Sequence, residues 1–144
     1  MSLSVDVAIF PKDLSKITRK ARRDIDRGIT KGIGEAAILG KDIIDSRTGK
    51  GQGIDRAFDP YTDGYIKWLE NNGYPTDEVD LEVSGDMLRS IQTKVTSSRE
   101  AMIYFDNAFQ AKKAAFNNET RPFFGFNDKE EKRMAAAFRK EIKL

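Results

Sequence analysis

The longest regular pattern in the chain is a run of apolar residues spaced three or four positions apart, between about residues 13 and 45. This spacing places them on one face of a helix and predicts one long amphipathic helix, with Pro11 or Asp13 at its start. At 1.5 Å per residue, such a helix would be roughly 45–50 Å long. The stripe consists of Leu14, Ile17, Ala21, Ile25, Ile29, Ile33 and Ala37.

A second line of small residues runs beside that stripe, at every fourth position: Gly28, Gly32, Ala36 and Gly40. A glycine inside a helix costs about 1 kcal/mol relative to alanine, so three on one line require a reason. We favour the close approach of a neighbouring element that leaves no room for side chains. The alternative is a kink, or two shorter helices.

The strand signals lie at the N-terminus and in the second half of the chain. Residues 3–10 alternate early and are rich in β-formers, and residues 91–106 predict a hairpin with its turn at Ser97–Glu100. The stretch Arg121–Phe126 is aromatic and extended. We therefore expect an α+β fold, in which these segments form a small, mainly antiparallel sheet packed by the long N-terminal helix and a C-terminal helix.

Four further helices are predicted, and each has a local signal. They cover Tyr61–Asn72, Ser84–Ile91 with Ser84 as its cap, one or two turns within Ala108–Phe116, and a last helix opened by Asn127. Met134, Phe138 and Ile142 form the buried stripe of the last helix.

The segment from about 46 to 60 carries glycines at 49, 51 and 53, which predicts a flexible loop. It does not fit a phosphate-binding P-loop, because Gly51 follows Lys50 where serine or threonine is required, and because the loop follows a helix. With 144 residues, the chain has the size of a single domain, residues 1–144.

The amino-acid composition excludes several kinds of functional site. The chain has no cysteine and no histidine, which excludes disulfides, zinc–thiolate sites and the usual general base at neutral pH. With 39% hydrophobic and 33% charged residues and no apolar run long enough to span a membrane, we expect a soluble globular protein without a signal peptide. We further expect that it is not an enzyme and holds no cofactor or metal.

Charge is distributed unevenly although the net charge is only +2. Residues 12–31 contain eight basic and three acidic residues, whereas residues 45–86 contain four basic and ten acidic ones. Phosphate binding, charge-matched self-association and a plain solvated surface all fit this pattern. The basic run includes Arg19, Arg22 and Arg23. The acidic cluster around Asp77, Glu78 and Asp80 lacks the spacing of a calcium loop, and a solvated surface explains it better than a hydrolase site.

Three near-adjacent phenylalanines, at 123, 124 and 126, cannot all point the same way along an extended stretch, since side chains alternate across a strand. At least one is therefore expected to leave the core and meet a partner.

The order of three segments resembles a known family. They are Gly53-Ile54-Asp55-Arg56-Ala57-Phe58-Asp59-Pro60-Tyr61 followed by Tyr65, then Val79-Asp80-Leu81-Glu82-Val83-Ser84-Gly85-Asp86-Met87-Leu88-Arg89-Ser90-Ile91, then Arg121-Pro122-Phe123-Phe124-Gly125. This order resembles the phage virion-morphogenesis or tail-completion family, over roughly residues 12–142. Each motif is short, and their order and spacing together carry the resemblance.

The resemblance implies a noncatalytic structural role at the head–tail junction or in the tail of a phage or prophage particle, made in the cytoplasm of the bacterial host. Such proteins form rings, often hexamers, that meet the connector, the tail terminator or the tail tube. A ring of this kind needs two different complementary faces on one subunit, which the basic helix and the acidic middle could supply. Contact with DNA is secondary in this interpretation, and a nucleic-acid-binding protein with a basic helix is the alternative. The residues expected to meet partners are Arg19, Arg22, Arg23, Lys50, Asp77, Glu78, Asp80, Phe123 and Phe124.

Overall fold

The computed structural model describes residues 1–5, 19–74, 76 and 85–142. Within them the chain forms three strands and five helices, which confirms the predicted α+β class. In chain order these are β1 (Ser2–Ser4), α1 (Arg19–Thr48), α2 (Asp63–Asn71), α3 (Asp86–Arg89), β2 (Ile91–Ser97), β3 (Glu100–Phe105), α4 (Ala108–Thr120) and α5 (Asp128–Lys140).

The sheet has the order β1-β3-β2. Strands β2 and β3 form the predicted hairpin, and β1 pairs antiparallel to β3 with Ser2 opposite Met102 and Ser4 opposite Glu100. The N-terminal ammonium of Met1 donates to the carbonyl of Ile103 at 3.0 Å, extending this pairing to the first residue. The predicted helix start at Pro11 or Asp13 and the end of the predicted N-terminal strand lie outside the described residues.

The chain divides into two compact units. The first unit contains Met1–Lys41, Thr93–Tyr104 and Asp128–Leu144; the second contains Asp42–Gln92 and Phe105–Asn127. The sequence-based expectation of one domain stays a prediction.

In the first unit, the predicted apolar stripe of α1 is buried at Ile29, Ile33 and Ala37. The glycine line beside it lies against the C-terminal end of the chain. A Cβ atom built on Gly28 would lie 2.6 Å from the Glu141 carbonyl oxygen, closer than real Cβ atoms come. The close approach inferred from the small residues is therefore confirmed. The alternative of two shorter helices is wrong, because α1 is continuous.

The hairpin also packs on α1 within this unit. The hydroxyl of Thr30 donates to the backbone carbonyl of Ser98 at 2.9 Å, at the turn of the hairpin. A Cβ built on Gly34 would lie 3.2 Å from a methyl group of Val95, so this glycine admits the strand side chain. The predicted packing of the long helix on the sheet is thereby confirmed.

In the second unit, the largest fully buried side chains are Ile44, Met87, Ile91 and Phe123. Helix α3 occupies part of the predicted Ser84–Ile91 helix, and Met87 and Leu88 point inward as predicted. Its N-cap position is Gly85, whose φ of 75° lies in the left-handed region that glycine tolerates. Ser84, the predicted cap, lies outside the described residues.

The glycine-rich segment starts later than predicted, because residues 46–48 still belong to α1. Beyond the helix, Gly51 adopts a φ of 76° and its carbonyl accepts from the amide of Phe58 at 2.9 Å. Phe58 is buried against this turn. The flexibility expected of this loop stays a prediction.

One predicted strand is wrong: residues 121–126 form bends and irregular backbone, not a third sheet segment. Side chains supply the partners that a neighbouring strand would supply. Oδ1 of Asn118 accepts from the amides of Phe123 and Phe124, both at 3.0 Å. The guanidinium of Arg47 donates to the carbonyls of Phe123, at 2.8 Å, and of Gly125. Because buried backbone groups must be paired, these bonds hold the stretch without a sheet.

Candidate functional site

A row of aromatic side chains is carried by α2 and the residues on either side of it, in the second unit. The helix begins after Thr62, whose hydroxyl accepts from the amide of Tyr65 at 3.3 Å and satisfies one of the free N–H groups at the helix start. Leu69 is buried beneath the helix. Trp68 leaves 47% of its surface exposed.

The end of α2 places the last ring of the row. Gly73 has a φ of 76°, its amide donates to the Glu70 carbonyl at 3.1 Å, and the amide of Tyr74 donates to the Leu69 carbonyl at 2.9 Å. These two bonds form a Schellman motif, which reverses the chain after a helix. The reversal brings Tyr74 back against Trp68.

The four rings contact each other in sequence order, and we call them the aromatic row: Tyr61, Tyr65, Trp68 and Tyr74. Tyr61 meets Tyr65 edge to face, with ring centroids 4.8 Å apart. Tyr65 and Trp68 stack at 5.8 Å, and Trp68 and Tyr74 stack at 5.9 Å. Each such pair contributes roughly 0.5–1.5 kcal/mol beyond simple burial, so the row is a preformed surface.

Arg121, the residue that follows α4, holds the first ring of the row in place. Its Nε donates to the Asp59 carbonyl at 3.1 Å, and its Nη2 donates to the Pro60 carbonyl at 3.2 Å. Its guanidinium carbon lies 5.0 Å from the centroid of the Tyr61 ring. The planar fork of arginine can make both hydrogen bonds and cover a ring at once, which a lysine ammonium cannot do.

The backbone behind Arg121 is locked to the glycine-rich segment. The amide of Ile54 donates to the carbonyl of Pro122 at 3.0 Å. A Cβ on Gly53 would lie 2.5 Å from that same carbonyl, so only glycine fits there without a shift. Asn127 Nδ2 donates to the Ile54 carbonyl at 2.7 Å. These contacts hold the base on which the aromatic row is built.

A groove with a volume of about 370 Å³ lies between the first half of the row and α4. Phe116 of α4 is 74% exposed at its edge, although it is a large apolar side chain. Within the described part of the chain, the lining contains two cations and no carboxylate. It consists of Tyr61, Thr62, Tyr65, Lys113, Phe116, Asn117 and Arg121.

The charged residues predicted to bind partners belong to different units or lie outside the described residues. Arg19, Arg22 and Arg23 are exposed on α1 in the first unit, and Lys50 is exposed in the second. Asp77, Glu78 and Asp80 lie outside the described residues.

The two phenylalanines of the predicted partner set lie inside the second unit. Phe123 is 0% exposed, so it is a core residue and not a surface for a partner. Phe124 is half-buried, with its ring 4.9 Å from that of Phe105. The most exposed phenylalanine rings are instead on α4, at Phe109 and Phe116.

Sequence reasoning missed Phe116 and its counterpart Phe109, which is 71% exposed. Helix α4 is longer than predicted and ends at Thr120. Its buried residue is the small Ala114, while both phenylalanines point outward. The available signal was their spacing of seven residues, which places two large apolar side chains on one face of a helix.

In the part of the chain that the structure describes, no group of three or more Asp or Glu side chains is placed to hold a metal ion. None of the described helices is both long and apolar enough to cross a membrane.

Comparison of the chain with protein-family models, with curated proteins and with solved structures found no match.

Proposed function

We propose that this chain is a structural protein of a phage or prophage particle. It completes the tail, or joins the tail to the head connector, through protein–protein contacts within a ring. It acts by binding and carries out no reaction, and its place is the head–tail junction or the tail.

The observation that carries the proposal is the packing of two segments on which the family resemblance rests. Arg121, from the Arg-Pro-Phe-Phe-Gly segment, binds carbonyls of Asp59 and Pro60 and covers the ring of Tyr61. Arg121 and Asp59 are 62 residues apart in the sequence. This contact supports the proposal because it gives the two motifs a common structural role: together they hold an aromatic surface in place.

The composition of that surface also supports a binding role. Tyrosine, tryptophan and arginine are the residue types that dominate binding energy in protein interfaces. Contiguous exposed apolar surface is uncommon on proteins that act alone, and it marks sites of contact. The aromatic row and Phe116 provide such a surface in the second unit.

The test is removal of the gene from the phage or prophage that encodes the chain, followed by electron microscopy of the particles. We expect unjoined heads and tails, or tails with an abnormal end, together with a large loss of infectious titre. A plasmid copy of the gene restores normal particles. Normal particles and an unchanged titre after deletion would refute the proposal.

A further inference from the structure

The charged side chains that line the groove between the aromatic row and α4 are cations. Among the residues that the structure describes, two cations line it, Lys113 and Arg121, and no carboxylate does. The acidic residues nearest to it in the sequence do not line it: Asp59 lies 3.6 Å from the Arg56 guanidinium, and Asp63 and Glu119 are exposed elsewhere on α2 and α4. The groove therefore presents positive charge to whatever enters it.

Its walls are apolar. The rings of Tyr61 and Tyr65 form one side, and Phe116 forms the other. The volume of about 370 Å³ falls within the range of about 300–1,000 Å³ that is common for binding pockets. A large apolar side chain can insert between the rings, while the cations meet charges on either side of it.

We infer that this groove binds an acidic segment of a partner protein, anchored by one large apolar side chain. The inference rests on the proposed function only in that the occupant is a protein. Complementary charge sets the position of the segment along the groove and speeds its association. The buried side chain that anchors the segment contributes most of the affinity.

Single-stranded nucleic acid, the other polymer that combines negative charge with flat apolar groups, fits less well. Its bases bind by stacking on exposed ring faces. In the aromatic row several of those faces are already covered: Trp68 stacks with Tyr65 and with Tyr74, and Arg121 lies over Tyr61. Two of the three rings that line the groove, Tyr61 and Tyr65, therefore have one face already covered.

The experiment is selection from an unbiased array of random twelve-residue peptides, with the full chain as the probe. We expect bound peptides to be enriched in aspartate and glutamate together with phenylalanine, leucine or tryptophan. Affinity for the strongest peptide is then measured from the fluorescence of Trp68, the chain's single tryptophan, whose ring stacks on that of Tyr65 in the groove wall.

Two pairs of matched variants on α4 locate the binding. Lys113→Glu is expected to weaken the peptide about tenfold, because it places a like charge beside the ligand. Phe116→Ala is expected to weaken it about tenfold or more by removing the apolar wall. The controls are Lys112→Glu and Phe109→Ala, which make the same changes on the same helix outside the groove lining. They should change affinity less than twofold, about 0.4 kcal/mol.

Several results would overturn the inference: no bound peptides, selected peptides that are neutral or basic, controls as damaging as the groove variants, or a thymidine decanucleotide that binds more tightly than the peptides. These outcomes are separate from those of the gene deletion. If deletion of the gene gives defective particles but the selected peptides are not acidic, only this inference is refuted. If the selected peptides are acidic but deletion leaves the particles normal, only the proposed function is refuted.

Discussion

The packing of α1 against the C-terminal end of the chain can be tested at Gly32. A Cβ atom at this position would lie 2.7 Å from the carbonyl oxygen of Phe138 and 2.8 Å from Cδ2 of its ring. The ring can rotate away, but the carbonyl belongs to the backbone of α5 and can move only with the helix. Gly32→Ala therefore forces the two elements apart.

Two opposing terms set the size of the effect. Alanine is about 1 kcal/mol better than glycine inside a helix, which stabilises the variant. Overpacking a well-packed contact costs typically about 1–3 kcal/mol, and a backbone oxygen at 2.7 Å belongs in the upper part of that range. We expect a net loss of about 1 kcal/mol in the free energy of unfolding, or roughly 3 °C in Tm.

The matched control is Gly64→Ala in α2, where no atom lies within 4 Å of the added methyl group. Here only the helix term acts, so we expect a gain of up to about 1 kcal/mol. Thermal unfolding followed by circular dichroism at 222 nm compares both variants with the parent chain. If Gly32→Ala raised Tm as much as Gly64→Ala does, α1 and α5 would not be in contact as described.

Three further predictions concern the second unit and the charged end of α1. Asn118→Ala should lower the free energy of unfolding in urea by about 1–3 kcal/mol, because two backbone amides lose their acceptor; Asn118→Asp, which keeps an acceptor oxygen, should lose less. Arg121→Lys should cost about 1 kcal/mol in the same assay, since lysine cannot bind both carbonyls and cover Tyr61; an unchanged midpoint would deny Arg121 its anchoring role. Reversal of the three exposed arginines of α1 to glutamate should weaken self-association in analytical ultracentrifugation, and unchanged assembly would count against charge-matched faces. The arginines are Arg19, Arg22 and Arg23.

The features that could be predicted from sequence are those with a strong local period. The stripe containing Ile29 and Ile33 repeats with the helical period, and its buried face follows from that period alone. The glycine line was informative because helical glycine is costly, so that Gly28 and Gly32 implied a close neighbour. The identity of that neighbour, the end of α5, did not follow from any local pattern.

The stretch 121–126 shows why other features could not be predicted. Its aromatic alternation is that of a strand, but a strand needs a neighbouring strand to pair with. Here its backbone groups form hydrogen bonds with two side chains. One is Asn118, just before the stretch, and the other is Arg47, more than seventy residues earlier. Single hydrogen bonds from distant side chains leave no periodic trace in a sequence.

The surface of α4 could not be predicted for a related reason. Hydrophobic residues are expected to point inward, and on most helices the larger ones mark the buried face. On α4 the buried residue is Ala114, whereas Phe109 and Phe116 point outward. An inverted helix of this kind cannot be recognised until the packing around it is known.

The residues behind the family resemblance and those proposed to contact a partner overlap only in part. Contacts within the second unit involve three residues of these segments and fix the backbone beneath the aromatic row. The residues are Gly53, Arg121 and Pro122. Lys113, one of the two cations of the groove, and Phe116 lie outside the three segments that carry the resemblance, whereas the other lining residues Tyr61, Tyr65 and Arg121 lie within them. A chain could therefore keep every one of those motifs, and the scaffold with them, while exchanging α4 side chains to select another partner. Partner choice should accordingly follow positions 113 and 116, and it should change when these are substituted with the motifs left intact.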